Sequence, residues 1–250
     1  FPNGTTRYTA GWRAVGASLS DVAAMGAEAR AAVAVYAAPD FEEKELTAFV
    51  AGARDVCVSV GAEYVGGDLD THDEFTAVTT ALGRTENPVY RSGASVGEAV
   101  CVTGTLGRSG AALRVFEMGE TERANDLFRF SPRIGTGRVI SPDAGAMMDV
   151  SDGLARSLHQ LAGASECGFS ITESVPVDAS VREIATDTTE QRELSLFFGE
   201  DFELLFTVSE DDIDAVCGAS PVPITRIGTV VEEGVTLDGE PLADRGFTHG

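Results

Sequence analysis

Between Pro39 and Gly61 the apolar residues Leu46, Phe49, Val50, Ala53, Val56, Cys57 and Val60 recur at helical spacing and trace one face of a long helix. Just before it, AAVAVYAA (31–38) is a short apolar run ended by proline, which fits a buried strand better than a helix. A one-faced helix behind a fully apolar strand has to pack on a sheet. Asp40 followed by Glu43 resembles a capping box at the helix start. Upstream, Trp12, Val15, Leu19 and Val22 give 10–26 a second helical face, with Ala and Gly elsewhere that let another backbone come close. Residues 63–66 and 75–83 are rich in β-branched and aromatic types, predicting two strands around an acidic loop, GGDLDTHDE.

The alternation continues further on. AVCVTG (99–104) reads as a strand, Leu154, Leu158 and Leu161 define a helix face after DVSDG, and FELLFTV (202–208) reads as a strand after FGED. VTLDGEPL carries an Asp238-Gly239 pair suited to a tight hairpin. The expected class is α/β or α+β in two domains. The polar, Gly- and Pro-containing stretch RTENPVYRSGASVGE holds the boundary, giving 1–92 and 93–250. At 250 residues with 43% hydrophobic content, two modest domains can each bury a core.

Charge narrows the partners. A net charge of −22, from 40 Asp plus Glu against 18 Lys plus Arg, repels nucleic acid and anionic membranes. Lys44 is the only lysine, and an acid-rich, lysine-poor surface is what salt-saturated cytoplasm commonly selects, so most carboxylates are read as solvated surface. The cysteines, Cys57, Cys101, Cys167 and Cys217, form no C-x-x-C pair and suit a reducing cytoplasm. No apolar run is long enough for a membrane span. His72, His159 and His249 are too scattered for a metal cluster, and neither a G-x-S-x-G elbow nor a Walker lysine is present. GTLGRSG (104–110) is a strand-to-helix turn on this reading.

Four motifs stand out because each couples Asp to Gly or Ser at an element boundary: SLSD with Asp21, GGD with Asp68, DVSDG with Asp149 and Asp152, and GED with Glu200 and Asp201. Glycine lets a phosphate approach the backbone, and carboxylates are the hard oxygen ligands that Mg²⁺ prefers. An Asp cap followed by Gly is also ordinary loop chemistry, so each motif alone is as readily structural. DVSDG carries most weight, since Asp149 would end a strand while Ser151 and Asp152 open a helix.

In order, SLSDVAAMGA (18–27), GGD (66–68), RSGA with VTGTLG (91–107), DVSDGL (149–154) and GEDFELLFTV (199–208) resemble the thiamine-monophosphate kinase family. Its superfamily also holds aminoimidazole ribonucleotide synthase, selenophosphate synthetase and a hydrogenase-maturation factor. The resemblance covers nearly the whole chain. It implies an N-terminal dimerising sheet with helices, a C-terminal α/β domain of the aminoimidazole ribonucleotide synthase-like type, and a cleft for ATP and several Mg²⁺ ions. By motif match, Asp21, Asp68, Asp149 and Asp152 are metal ligands, and Gly67, Asp68, Arg91 and Ser151 contact ATP. Glu200 faces thiamine monophosphate, and Phe247 matches an aromatic position expected to stack on the thiamine rings.

The implied activity is ATP-dependent phosphorylation of thiamine monophosphate by a cytoplasmic homodimer, with no side-chain base required. The family's N-terminal GDDAA and the acidic segment ending in His-Phe are absent, Phe1 falls where that Phe stands, and Phe198 replaces the first Gly of GGED. The chain is therefore expected to lack the start of the family's sequence. Two further readings stay open: another ATP-dependent synthetase of the superfamily, and a shortened, non-catalytic paralogue.

Overall fold

A computed structural model describes residues 1–172 and 175–247. The first unit runs α1 (Arg7–Ala24), β1 (Glu28–Ala38), α2 (Glu43–Ser59), β2 (Glu63–Thr71) and β3 (Thr76–Arg84). These strands form a three-stranded sheet in the order β2-β1-β3, with β2 parallel and β3 antiparallel to β1. Residues 85–98 carry no helix or strand.

The second unit contains β4 (Ala99–Thr103), α3 (Arg108–Glu117), α4 (Thr121–Phe128), α5 (Ile134–Ile140), β5 (Ala144–Asp149), α6 (Leu154–Ser165), β6 (Gly168–Ile171), α7 (Ala179–Ile184) and α8 (Thr188–Arg192). A π-helical turn (Glu193–Phe197) leads to β7 (Leu204–Val208), α9 (Ile213–Ala219), β8 (Ile224–Val231), β9 (Val235–Leu237) and β10 (Glu240–Pro241). Seven strands join in the order β10-β9-β6-β8-β4-β7-β5. Only β6–β9 is a parallel pairing.

The side-chain alternation of the large sheet divides the interior in two. Cys101, Met147, Leu204 and Phe206 face one way, into a core shared with α1, α2 and the small sheet. Val100, Val102, Met148 and Leu205 face the other way, onto Leu154, Leu158 and Leu161 of α6. One core therefore spans both sheets, with α1 at its centre.

Glycine sets how closely α1 can sit. A Cβ on Gly11 would meet the Phe49 carbonyl of α2, one on Gly52 would meet the Tyr8 carbonyl of α1, and one on Gly137 of α5 would meet the Ala23 carbonyl. Thr6 caps the helix, its Oγ1 accepting from the Thr9 amide at 3.1 Å.

The structure corrects three expectations. The capping box does not form: α2 starts at Glu43 with Glu42 as an unbonded N-cap, so Asp40 lies too early, and Glu43 and Glu45 serve the helix dipole instead. GGD is not in a loop, because β2 continues to Thr71 by pairing Gly67 with Ala34, Asp68 with Val35 and Asp70 with Ala37. β7 starts at Leu204 rather than Phe202, whose φ of +54° is left-handed. The Asp238-Gly239 hairpin forms, with φ of +53° and +82°. No helix among the described residues is long and apolar enough to cross a membrane. His249 lies outside the described residues.

Candidate active site

Two acidic motifs far apart in sequence meet where β5 and β7 run side by side. The Val150 amide donates to the Glu203 carbonyl at 2.8 Å, and the Phe202 amide to the Val150 carbonyl at 3.0 Å. The Glu200 amide donates to the Ser151 carbonyl at 2.7 Å. Gly199, with φ of +83°, sits so close that a Cβ would lie 2.6 Å from both the Gly153 nitrogen and the Ser151 oxygen. Only glycine fits there. Glu200 (φ +57°) and Phe202 (φ +54°) are held in the left-handed region without that excuse. Such strain costs on the order of 1–3 kcal/mol per residue and has to be imposed by surrounding contacts.

Asp149 is 3% exposed at the end of β5 and accepts from Ser20 Oγ of α1 at 2.7 Å. Burial pushes its pKa up to about 6, the negative charge of Asp21 adds to the rise, and the Ser20 bond and Arg91 oppose it. Asp21 is raised as well, by burial first, with Arg91 working against the rise. Ser20 and Asp21 thus bring the start of the chain against the end of β5, forming a carboxylate pair with Arg91 in electrostatic reach.

Asp152 is half-buried beside the GED loop; its carbonyl accepts from the Phe247 amide at 3.1 Å. Asp68 is exposed on β2 and lines a different depression, with Tyr36 and Leu46, from the one that Asp21 lines with Thr79 and Thr80. Gly67 is packed edge-on against Ala34, whose carbonyl a Cβ would strike.

The expected gathering of Asp21, Asp68, Asp149 and Asp152 in one place is not what a single chain presents. Among the described residues, no three His, Cys, Asp or Glu side chains form a metal-holding group. What does fit a hard cation is the Asp21–Asp149 pair, two oxygen donors whose pKa values are raised chiefly by burial and only partly offset by Arg91. Mg²⁺ binds through one or two carboxylates and completes its shell with phosphate and water oxygens.

On the far side of the GED loop lies a cleft of about 510 Å³, lined among others by Phe1, Arg13, Phe128, Phe198, Glu200, Phe202 and Phe247. Glu200 and Phe247 are therefore together in one aromatic cavity. The chain leading to Phe247 is tied down: His159 Nε2 donates to the Leu242 carbonyl at 2.8 Å, Arg156 pairs with Asp244 at 3.1 Å, and Arg245 pairs with Glu193 at 2.8 Å.

Two residues here, Glu203 and Arg13, escaped the sequence reading, and Asp201, singled out there within GED, takes a place the motif does not show. Asp201 is buried at the N-terminus of α3, accepting from the Gly107 amide at 2.6 Å and the Ser109 amide at 3.1 Å; burial pushes its pKa up to about 7, against those two bonds. Glu203, buried, accepts from Thr103 Oγ1 at 2.6 Å and pairs with Arg133. Arg13, 4% exposed on α1, reaches Glu200, and burial lowers its pKa while Glu200 opposes the loss. Arg13 carried one available signal, a lone cation on the face of α1 that also holds Thr9, Ala10, Gly16 and Ser20.

A small sheet joined through a central helix to a large mixed sheet defines the class, an AIR synthase related protein. Residues 1–85 match the family description "AIR synthase related protein, N-terminal domain", and 95–239 match "AIR synthase related protein, C-terminal domain". The chain is 57% identical, over its full length and 86% of the relative, to a thiamine-monophosphate kinase of Halobacterium salinarum. It is 41% identical, over its full length and 84% of the relative, to that of Methanospirillum hungatei. It superposes with a TM-score of 0.88 and 31% identity on AaThiL complexed with AMPPCP and TMP, covering 98% of this chain and 81% of that one. The chain belongs to the thiamine-monophosphate kinase family.

Proposed function

We propose that this protein transfers the γ-phosphoryl group of ATP to thiamine monophosphate, giving thiamine diphosphate and ADP. The observation that carries the reading is the docking of GED on DVSDG. It sets an aromatic cleft with a carboxylate, suited to an organic cation, beside the buried Asp149 and the exposed Asp21, a carboxylate pair suited to metal-bound phosphates.

Each residue then has a chemical task. Phe247 stacks on the thiamine rings, and Glu200 faces their positive charge. Ser151 and Arg91 contact ATP, Arg91 supplying positive charge to the carboxylate pair. Asp21, Asp149 and Asp152 hold Mg²⁺, whose chemistry is to neutralise the phosphates that must meet. The attacking atom is a phosphate oxygen already ionised near neutral pH, so positioning suffices and no side chain has to remove a proton.

Gly67 and Asp68 belong to the same reading through a second copy of the chain. The outer face of the small sheet exposes Val33, Val65, Val78 and Leu82, an apolar surface that a homodimer would cover. Asp68 pairs with Val35 beside that face, so its contact with ATP and metal is made only in the assembly. The units are 1–92 and 93–250, and the dimer works in a salt-rich cytoplasm, in keeping with four free cysteines and the acidic surface.

The test is full-length protein in molar KCl with MgCl₂, ATP and thiamine monophosphate, with ADP and thiamine diphosphate both quantified. Equal amounts of the two products are expected. ATP binding without thiamine diphosphate would assign a non-catalytic role, and product from another acceptor would assign a different synthetase of the superfamily.

A further inference from the structure

Glu200 projects into the aromatic cleft from a left-handed backbone, and what holds it is a residue outside every motif. The NH2 nitrogen of Arg13 donates to the Glu200 carbonyl and to Glu200 Oε2, both at 2.9 Å, and to Ser109 Oγ at 3.1 Å. Its NH1 nitrogen donates to the Phe128 carbonyl at 2.5 Å. The guanidinium lies 3.7 Å over the Phe128 ring, with Phe130 and Phe202 each at 5.4 Å. Ser109 Oγ gives the Glu200 carbonyl a second bond at 2.6 Å, and the amide of Glu200 is spent on Ser151. Backbone and carboxylate are thus tied from three directions, although half of the Glu200 side chain is solvent-exposed.

We propose that Arg13 is the positioning residue of the substrate cleft. By clamping the carbonyl and carboxylate of Glu200 together it fixes the direction in which that carboxylate faces the organic cation, and so governs affinity for the thiamine substrate and not for ATP. The inference rests on the function proposed above. A charge with planar, divergent donors is needed, because one group serves two carbonyls, a hydroxyl and a carboxylate while stacking on an aromatic ring. A lysine ammonium keeps the charge but cannot span those acceptors at once. The aromatic box replaces water around the guanidinium, so the clamp stays rigid where a solvated pair would drift.

The experiment is steady-state kinetics on full-length wild type, Arg13→Lys, Arg13→Met, Glu200→Gln and the Arg13→Met/Glu200→Gln double variant, with each substrate varied in turn. Loss of charge-assisted bonds predicts a rise in KM for thiamine monophosphate of roughly tenfold to a hundredfold in either Arg13 variant. KM for ATP should stay within about twofold, since Arg13 touches nothing on that side. The double variant should be no worse than Glu200→Gln alone, the signature of one residue acting through the other.

If Arg13→Met does not fold, Arg13→Lys and Ser109→Ala carry the test, the latter with a smaller shift in the same direction. Equal rises in both KM values, effects that multiply in the double variant, or an Arg13→Lys enzyme matching wild type would each overturn the positioning role alone. A wild-type protein that neither binds thiamine monophosphate by calorimetry nor turns it over would overturn the proposed function, and this inference with it.

Discussion

Replacing Asp149 by Asn should stabilise the metal-free protein at neutral pH while destroying its activity. The carboxyl is lifted from an ordinary 3.8 to about 6 by burial and by Asp21. A carboxyl raised in the folded state holds its proton more tightly there than in the unfolded chain. Its burden is therefore absent below the unfolded value, grows as pH rises from about 4 to 6, and is complete above that. At 1.36 kcal/mol per pH unit the full burden is about 3 kcal/mol at pH 7.5, falling to about 1 kcal/mol at pH 4.5.

Asparagine keeps an oxygen that can accept from Ser20 Oγ, so the geometry survives while the charge is removed. With some loss for an imperfect amide fit, a gain of about 1–3 kcal/mol at pH 7.5 is expected, or roughly 2–6 °C in melting temperature. The assay is thermal and urea unfolding of both proteins in molar KCl with EDTA, from pH 4.5 to 7.5. Molar salt screens exposed charges but not this one. Turnover should fall by at least ~100-fold, because the lost carboxylate would hold the cation that neutralises phosphate charge. A variant no more stable than wild type at pH 7.5, or a gain that stays constant across the range, would refute the account.

Asp201→Asn sets a loss of about 1–3 kcal/mol, from one of the Gly107 and Ser109 amides left buried without an acceptor, against relief of a burden that grows with pH as at Asp149, so the variant is expected to fare worst at pH 4.5 and to recover towards pH 7.5 in the same unfolding series. Gly199→Ala places a methyl against the backbone of Ser151 and Gly153; a loss of about 1–3 kcal/mol and more than a tenfold drop in kcat/KM are expected. Gly163→Ala is the matching control, since nothing lies within 4 Å at this exposed position of α6, and a gain of about 0.5–1 kcal/mol in the melt is expected. Leu82→Glu or Val78→Glu should shift sedimentation from the proposed dimer to monomer with little change in far-UV circular dichroism.

The parts legible in the sequence are those set by periodicity. Val15, Leu19 and Val22 of α1, Phe49, Ala53 and Val56 of α2, and Leu154, Leu158 and Leu161 of α6 are all buried where their spacing put them. Local chemistry was also readable, as the Asp238-Gly239 hairpin shows. Long-range pairing was not. GGD looks like a loop by composition and becomes strand because β1 offers its backbone, and the helix cap imagined at Asp40 lost to the actual start at Glu43. Asp201 capping α3 and Ser20 bonding Asp149 join residues separated by 94 and 129 positions, which no local pattern encodes. The motif residues were identifiable as types; what fixes their direction, above all Arg13, came from the far side of the fold.

One helix touches both ends of the proposed reaction. Arg13 and Asp21 stand a little over two turns apart on α1, about 12 Å along its axis, and reciprocal glycine contacts with α2 and α5 leave that axis no room to slide. The spacing between the carboxylate that meets one reactant and the carboxylates that meet the other is thus a backbone dimension, a built-in gauge that loop variation cannot lengthen. Altering it would take an inserted residue, which would also swing one anchor about 100° round the helix and out of register with its partner.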